Sequence, residues 1–206
     1  DNLRTNAVVL TEGVAAENLV TAVAGTNIRI KAACASAEGG KRVFRLSAQN
    51  GSGKRRGAWA RASAVFSAYR RIGDCRVMRF GVCGDGSGAL LNVQPVSPPE
   101  YGRSLAEHYV KLDFTGWRRF EMPLRERDAD RFADYEWPYT WYASVFHSVL
   151  KPHAVSELNF YLNDIPAGGK VDICVSDVEF VPQRPIKNSR HGVKINDTIV
   201  PVPFAM

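Results

Sequence analysis

The sequence lacks several features that would place it quickly. No apolar run approaches the roughly 20 residues of a membrane-spanning helix, so no membrane partner is expected. The opening Asp1-Asn2-Leu3-Arg4 has neither an initiator Met nor an apolar core segment, which reads as no signal peptide and as a piece cut from something longer. The four cysteines, Cys34, Cys75, Cys83 and Cys174, contain no C-x-x-C pair, which removes the usual zinc and thioredoxin-like spacings. An even number of them permits one or two disulfides without requiring any. The four histidines, His108, His147, His153 and His191, lack the i, i+4 spacing of a zincin. Helical periodicity is scarce throughout.

Familiar catalytic signatures fail residue by residue. Asn50-Gly51-Ser52-Gly53-Lys54 resembles a phosphate loop only superficially, because Ala48 stands where Gly is needed and Arg55 where Ser or Thr is needed. In Gly84-Asp85-Gly86-Ser87-Gly88 the register of a nucleophile elbow is lost at Asp85, leaving a hairpin turn. Carboxylate pairs can always be nominated among 21 acidic residues, so they identify no glycosidase. The chain is therefore read as no enzyme.

What is present is ordinary for a folded domain: 206 residues, 45% apolar and 23% charged, enough for one large domain. A net charge of +6 favours an anionic partner, and eight basic residues fall between Lys54 and Arg79. No zinc-finger, RRM or helix-turn-helix signature accompanies that charge, so nucleic acid is not expected. An acidic glycan or a simply solvated basic face remains.

Short segments rich in β-branched and aromatic residues alternate with Gly, Pro, Asn and Asp. Strands are predicted at 28–35, 41–47, 59–66, 76–83, 89–95, 108–114, 117–123, 155–162 and 171–180. That number predicts an all-β antiparallel β-sandwich, a jelly roll of two packed sheets, over residues 1–182. Residues 183–206 read as a linker or C-terminal tail, with an extra edge strand as one form of it. Several strands carry a polar second face: Leu158, Phe160 and Leu162 oppose Asn159, Tyr161 and Asn163, Leu91 and Val93 oppose Asn92 and Gln94, and Val110 and Leu112 oppose Tyr109 and Lys111. Alternation in the last strand falls out of phase near Ser176 and Asp177, which predicts a bulge. Gly84–Gly88 and Pro166–Gly169 read as tight turns between strands.

The longest irregular insertion lies between Leu124 and Ser148, and five aromatics, Tyr135, Trp137, Tyr139, Trp141 and Tyr142, fall within eight of its positions. Aromatic faces stack on the C–H faces of sugar rings, and long loops on a rigid scaffold commonly carry function. The competing role is to plug the end of the sandwich. Trp137, Tyr139, Trp141, Tyr142 and Tyr135 are thus candidate stacking residues, with Tyr109, Lys111, Asn92, Gln94, Asn159 and Tyr161 as polar contacts. Glu12 and Asp177 are candidate ligands of a structural Ca²⁺, solvated carboxylates being the alternative.

Three segments, GDGSGALLNVQ at 84–94, HYVKLDFTGW at 108–117 and residues 155–180, together resemble the β-jelly-roll, galactose-binding-like carbohydrate-binding modules of large bacterial polysaccharide-degrading proteins. The likeness covers roughly residues 40–182. It implies a secreted or cell-surface, monomeric, non-catalytic module that targets a linked catalytic domain to a polysaccharide or oligosaccharide. It also implies a calcium bridging the first and last strands, which maps onto Glu12 and Asp177. The aromatic insertion and the basicity depart from many such modules and argue against a simple neutral glucan. A structural or interdomain module without its own ligand is the alternative.

Overall fold

The computed structural model describes residues 7–37, 40–56, 59–101, 104–124 and 149–182, together with the backbone of 192–195 and 198–201. Fourteen strands are described. In chain order they are β1 (Val8–Val9), β2 (Leu19–Ala24), β3 (Ile28–Ser36), β4 (Arg42–Asn50), β5 (Trp59–Arg70), β6 (Cys75–Asp85), β7 (Leu90–Val96), β8 (His108–Lys111), β9 (Thr115–Pro123), β10 (Val155–Asn163), β11 (Lys170–Ser176), β12 (Glu179–Pro182), β13 (Gly192–Ile195) and β14 (Thr198–Pro201). Two antiparallel sheets form the sandwich expected from the sequence. One has five strands in the order β2-β5-β10-β7-β8. The other has seven, in the order β1-β12-β6-β11-β4-β3 with β9 on the free edge of β6.

Strand alternation builds the core between them. β10 directs Leu158, Phe160 and Leu162 inward, and its neighbour β5 answers in register with Ala64, Ala62 and Ala60. Pairing large with small side chains fills the layer without overpacking. Phe160 meets Phe44 of β4 at a ring separation of 5.7 Å, joining the two sheets.

The glycine-rich segments do more than the predicted hairpins. Gly84–Gly88 carries the chain from β6 in one sheet to β7 in the other, and Pro166–Gly169 carries it from β10 to β11, again across the sandwich. Gly86 and Gly88 take φ of 72° and 70°, and their N–H groups donate to the carbonyls of Phe114 and Leu112 at 2.8 Å. Gly84 has a different reason: a Cβ there would lie 2.5 Å from the Phe114 carbonyl oxygen. The predicted bulge at Ser176 and Asp177 is a full break, so that β6 pairs first with β12 and then with β11. β13 and β14 pair with each other in a separate two-stranded sheet. Sequence reading missed β1 and β2, which are short or weakly alternating.

The break is held by side chains. Arg42 donates from Nε (3.1 Å) and Nη2 (2.6 Å) to Asp177 Oδ1, which also accepts from Thr11 Oγ1 at 2.8 Å. Arg42 also reaches the carbonyls of Thr11 and Val14, so one guanidinium ties β4, the segment after β1 and the β11–β12 break.

Gly84→Ala should lower stability by about 1–3 kcal/mol, the usual cost of an overpacked site. Gly53→Ala, where a Cβ meets nothing within 4 Å, should stay within about 0.5 kcal/mol. Urea unfolding of the two variants beside the parent checks the difference.

Candidate functional site

The core-facing side of the five-stranded sheet is largely apolar, and its other side carries most of the sheet's polar residues. Register places the side chains in rows across the strands. One row runs Val20, Ser63, Asn159 and Gln94, and the next runs Ala22, Arg61, Tyr161, Asn92 and Tyr109. A third contains Trp59, Asn163, Leu90 and Lys111.

The face divides by depth. Asn92, Gln94, Tyr109 and Asn159, all expected as surface contacts, are buried, together with Ser63 and Glu107. Asn92, Gln94, Asn159, Ser63 and Glu107 fall into two networks that each end on a carboxylate. Asn92 Nδ2 and Gln94 Nε2 donate to Glu107 Oε1 at 3.2 and 2.8 Å. Ser63 Oγ donates to Asn159 Oδ1 at 2.6 Å, and Asn159 Nδ2 donates to Glu157 Oε1 at 3.3 Å. With its amide nitrogen used in this way, Asn92 Oδ1 is a buried acceptor without a partner among the described residues. Such an atom costs about 1–3 kcal/mol unless water or a ligand donates to it.

Toward β5 the face opens. Trp59, Arg61 and Tyr161 are half-buried, and Tyr161 touches both of the others. The Trp59 and Tyr161 rings meet edge to face at 5.3 Å. Arg61 lies over the Tyr161 ring with its Cζ 5.6 Å from the centroid, and its Nη1 donates to the phenol oxygen at 3.2 Å. Its Nε is buried without a partner among the described residues. Two unmet polar atoms, one a cationic donor and one an amide acceptor, therefore lie in the same cross-strand row. Lys111 is exposed on the far edge.

A second aromatic group sits further along β5. It lies beyond the register shift that separates Val65 from Arg70 in the pairing with β10. Tyr69 packs edge to face on Tyr101 at 6.4 Å, and Tyr101 on His153 at 5.1 Å. The Tyr69 hydroxyl donates to Glu100, and that bond pushes the phenol up and holds the Glu100 carboxyl down.

The five aromatics Tyr135, Trp137, Tyr139, Trp141 and Tyr142 lie outside the described residues. Arg61, Trp59, Ser63 and Glu107 were missed in the sequence. Period-2 alternation within 59–66 would have found Trp59, Arg61 and Ser63, since the small Ala60, Ala62 and Ala64 mark the opposite side as core. On the seven-stranded sheet, Trp117 is 51% exposed and lies against Gly81 on the outer face.

The carboxylates expected to hold calcium are not assembled as an ion site. Asp177 Oδ1 already faces the Arg42 guanidinium, and Glu12 is exposed, its backbone carbonyl accepting from Arg70. Among the described residues no group of three or more His, Cys, Asp or Glu side chains is placed to hold a metal. A calcium needs six to eight oxygens, and this donor set, with a cation already in it, does not fit one.

No family model matches the chain, and no curated protein matches it. Solved structures do. The family 11 carbohydrate-binding module of Clostridium thermocellum, in complex with a β-1,3-1,4-mixed-linked tetrasaccharide, aligns at 12% identity over 86% of this chain and 95% of that one, with a TM-score of 0.53. A family 30 module of a cellulosomal cellulase from the same organism aligns at 12% identity over 82% and 93%, with a TM-score of 0.50. An exo-β-agarase aligns at 9% identity over 88% of this chain and 26% of its own, with a TM-score of 0.55. The fold is that of β-sandwich carbohydrate-binding modules.

Removing calcium with a chelator should leave the thermal midpoint unchanged, whereas Arg42→Gln should lower stability by about 1.5–3 kcal/mol by stripping charged hydrogen bonds from Asp177. Thermal and urea unfolding with and without chelator check both.

Proposed function

We propose that the domain is a non-catalytic carbohydrate-binding module, and that its ligand lies on the polar face of the five-stranded sheet. The observation that carries this reading is the row Arg61, Tyr161 and Asn92, in which aromatic surface adjoins an unmet donor and an unmet acceptor. Trp59 and Tyr161 present apolar ring surface to sugar C–H groups, while Asn92 Oδ1 takes a hydroxyl proton. Arg61 and Lys111 favour a carboxylate or sulfate on the glycan, in keeping with the net charge of +6.

The buried amides of Gln94 and Asn159 act behind the contact surface in this reading. Glu107 and Glu157 fix the orientation of Asn92, Gln94 and Asn159, as polar groups behind a binding face commonly do. Stacking from Trp137, Tyr139, Trp141, Tyr142 and Tyr135 belongs to the same proposal. So does the setting: a secreted or cell-surface, monomeric domain that holds a linked catalytic domain on its polysaccharide.

Affinity electrophoresis of the isolated domain through gels containing a uronate polymer, a sulfated polymer or a neutral β-glucan tests the reading. Retention on an anionic polymer should weaken as salt rises. It should fall about tenfold in Arg61→Gln, the loss of one charge-assisted contact, and also in Trp59→Ala. Absence of retention on every polymer at every salt would leave the interdomain role in possession. Sugar released from a retained polymer would overturn the non-catalytic half of the proposal.

A further inference from the structure

Cys83 of β6 and Cys174 of β11 stand directly opposite each other on adjacent antiparallel strands. Their positions are outward ones: β6 sends Met78, Phe80 and Val82 into the core, and β11 sends Val171, Ile173 and Val175, so the intervening residues share the outer face. Both thiols are half-buried, and no disulfide joins them. Residues directly opposed in an antiparallel ladder have Cα atoms about 4.5–5.5 Å apart. A disulfide accepts about 4.4–6.8 Å.

The other two cysteines have no such arrangement. Cys34 is opposite Phe44, and Cys75 is opposite Pro182. Burial is the largest influence pushing the Cys174 thiol up; Cys83 adds to it, and Arg45 opposes it.

We propose that Cys83 and Cys174 are a cross-strand redox pair that closes to a disulfide when the protein meets an oxidising environment. With a small-molecule disulfide such as oxidised glutathione as oxidant, one cysteine thiolate attacks a glutathione sulfur and expels glutathione thiolate. The second cysteine thiolate then attacks the protein sulfur of the mixed disulfide and expels the other glutathione. Two protein S–H bonds are lost, one S–S bond forms between Cys83 and Cys174, and the glutathione disulfide is reduced to two thiols by the two electrons and two protons.

The position gives the bond a structural consequence. It falls where β6 passes from β12 to β11, beside the break that Arg42 and Asp177 hold. The closed ring spans about 90 residues and includes β7, β8 and β10, three of the five strands that carry the polar face. A loop of that length is among those whose closure restrains the unfolded chain most. The bond therefore clamps the polar face against unfolding without touching it, and the inference stands independently of any ligand.

The test uses the full chain equilibrated natively with oxidised glutathione, then denatured in N-ethylmaleimide and digested without reduction. The expected product is a linked peptide pair containing Cys83 and Cys174 that disappears with dithiothreitol. The oxidised protein should also melt on the order of 5–10 °C above the reduced one. Maleimide on both Cys83 and Cys174, glutathione on either without a link, or a link to Cys34 or Cys75 would overturn the pair, and a link with no rise in melting temperature would overturn the clamp. Because the peptides are mapped in the natural sequence, the result does not depend on a variant folding. Cys83→Ser should in addition abolish the rise.

Discussion

Everything on the polar face depends on β10 keeping Leu158, Phe160 and Leu162 in the core. Side chains in a strand alternate with a strict period of two, so a slip of one residue would turn these three outward and drive Asn159, Tyr161 and Asn163 into the core. Phe160 against Phe44, and the in-register alanines of β5, make that slip costly. The same constraint fixes the neighbours. Once Phe160 sits opposite Ala62 and Val93, Tyr161 must sit beside Arg61 and Asn92.

A face built this way is stable only if its buried polar atoms are satisfied, and most of them are. Ser63, Asn159 and Glu157 form one chain of donors and acceptors, and Asn92, Gln94 and Glu107 another. Among the described residues, two exceptions, Arg61 Nε and Asn92 Oδ1, share one cross-strand row with Tyr161 between them. Unmet polar atoms beside aromatic surface are the pattern expected where a protein reserves hydrogen bonds for something outside itself. The opposite face contrasts with it. There Arg45 pairs with Asp172, holding that carboxyl below its ordinary range, and Arg79 pairs with Glu121.

Much of the fold was legible because core strands such as β10 and β11 alternate cleanly between apolar and polar residues. Connectivity was less so: Gly84–Gly88 announces a turn, but the choice between a hairpin and a passage to the other sheet is made by where β7 finds its partners. The break at Asp177 was visible as a phase change, though not the role of Arg42, which lies 135 residues away in sequence. For the site, alternation located Asn92, Gln94, Tyr109 and Asn159 on the right face yet could not give their depth, since burial is decided by what surrounds a row. Trp59 and Arg61 lie in a predicted strand whose core side is marked only by the small Ala60, Ala62 and Ala64, a weak apolar signal.

The central claim is that this face, rather than the outer sheet, receives a glycan. Two-dimensional ¹H–¹⁵N NMR during titration with soluble uronate-bearing and sulfated oligosaccharides tests it most directly. The account predicts that the Trp59 indole, the Arg61 Nε–H and the Asn92 side-chain amide shift together and saturate, while the Trp117 indole on the outer face stays in place. Shifts centred on Trp117, or none at saturating concentrations of these sugars, would contradict it.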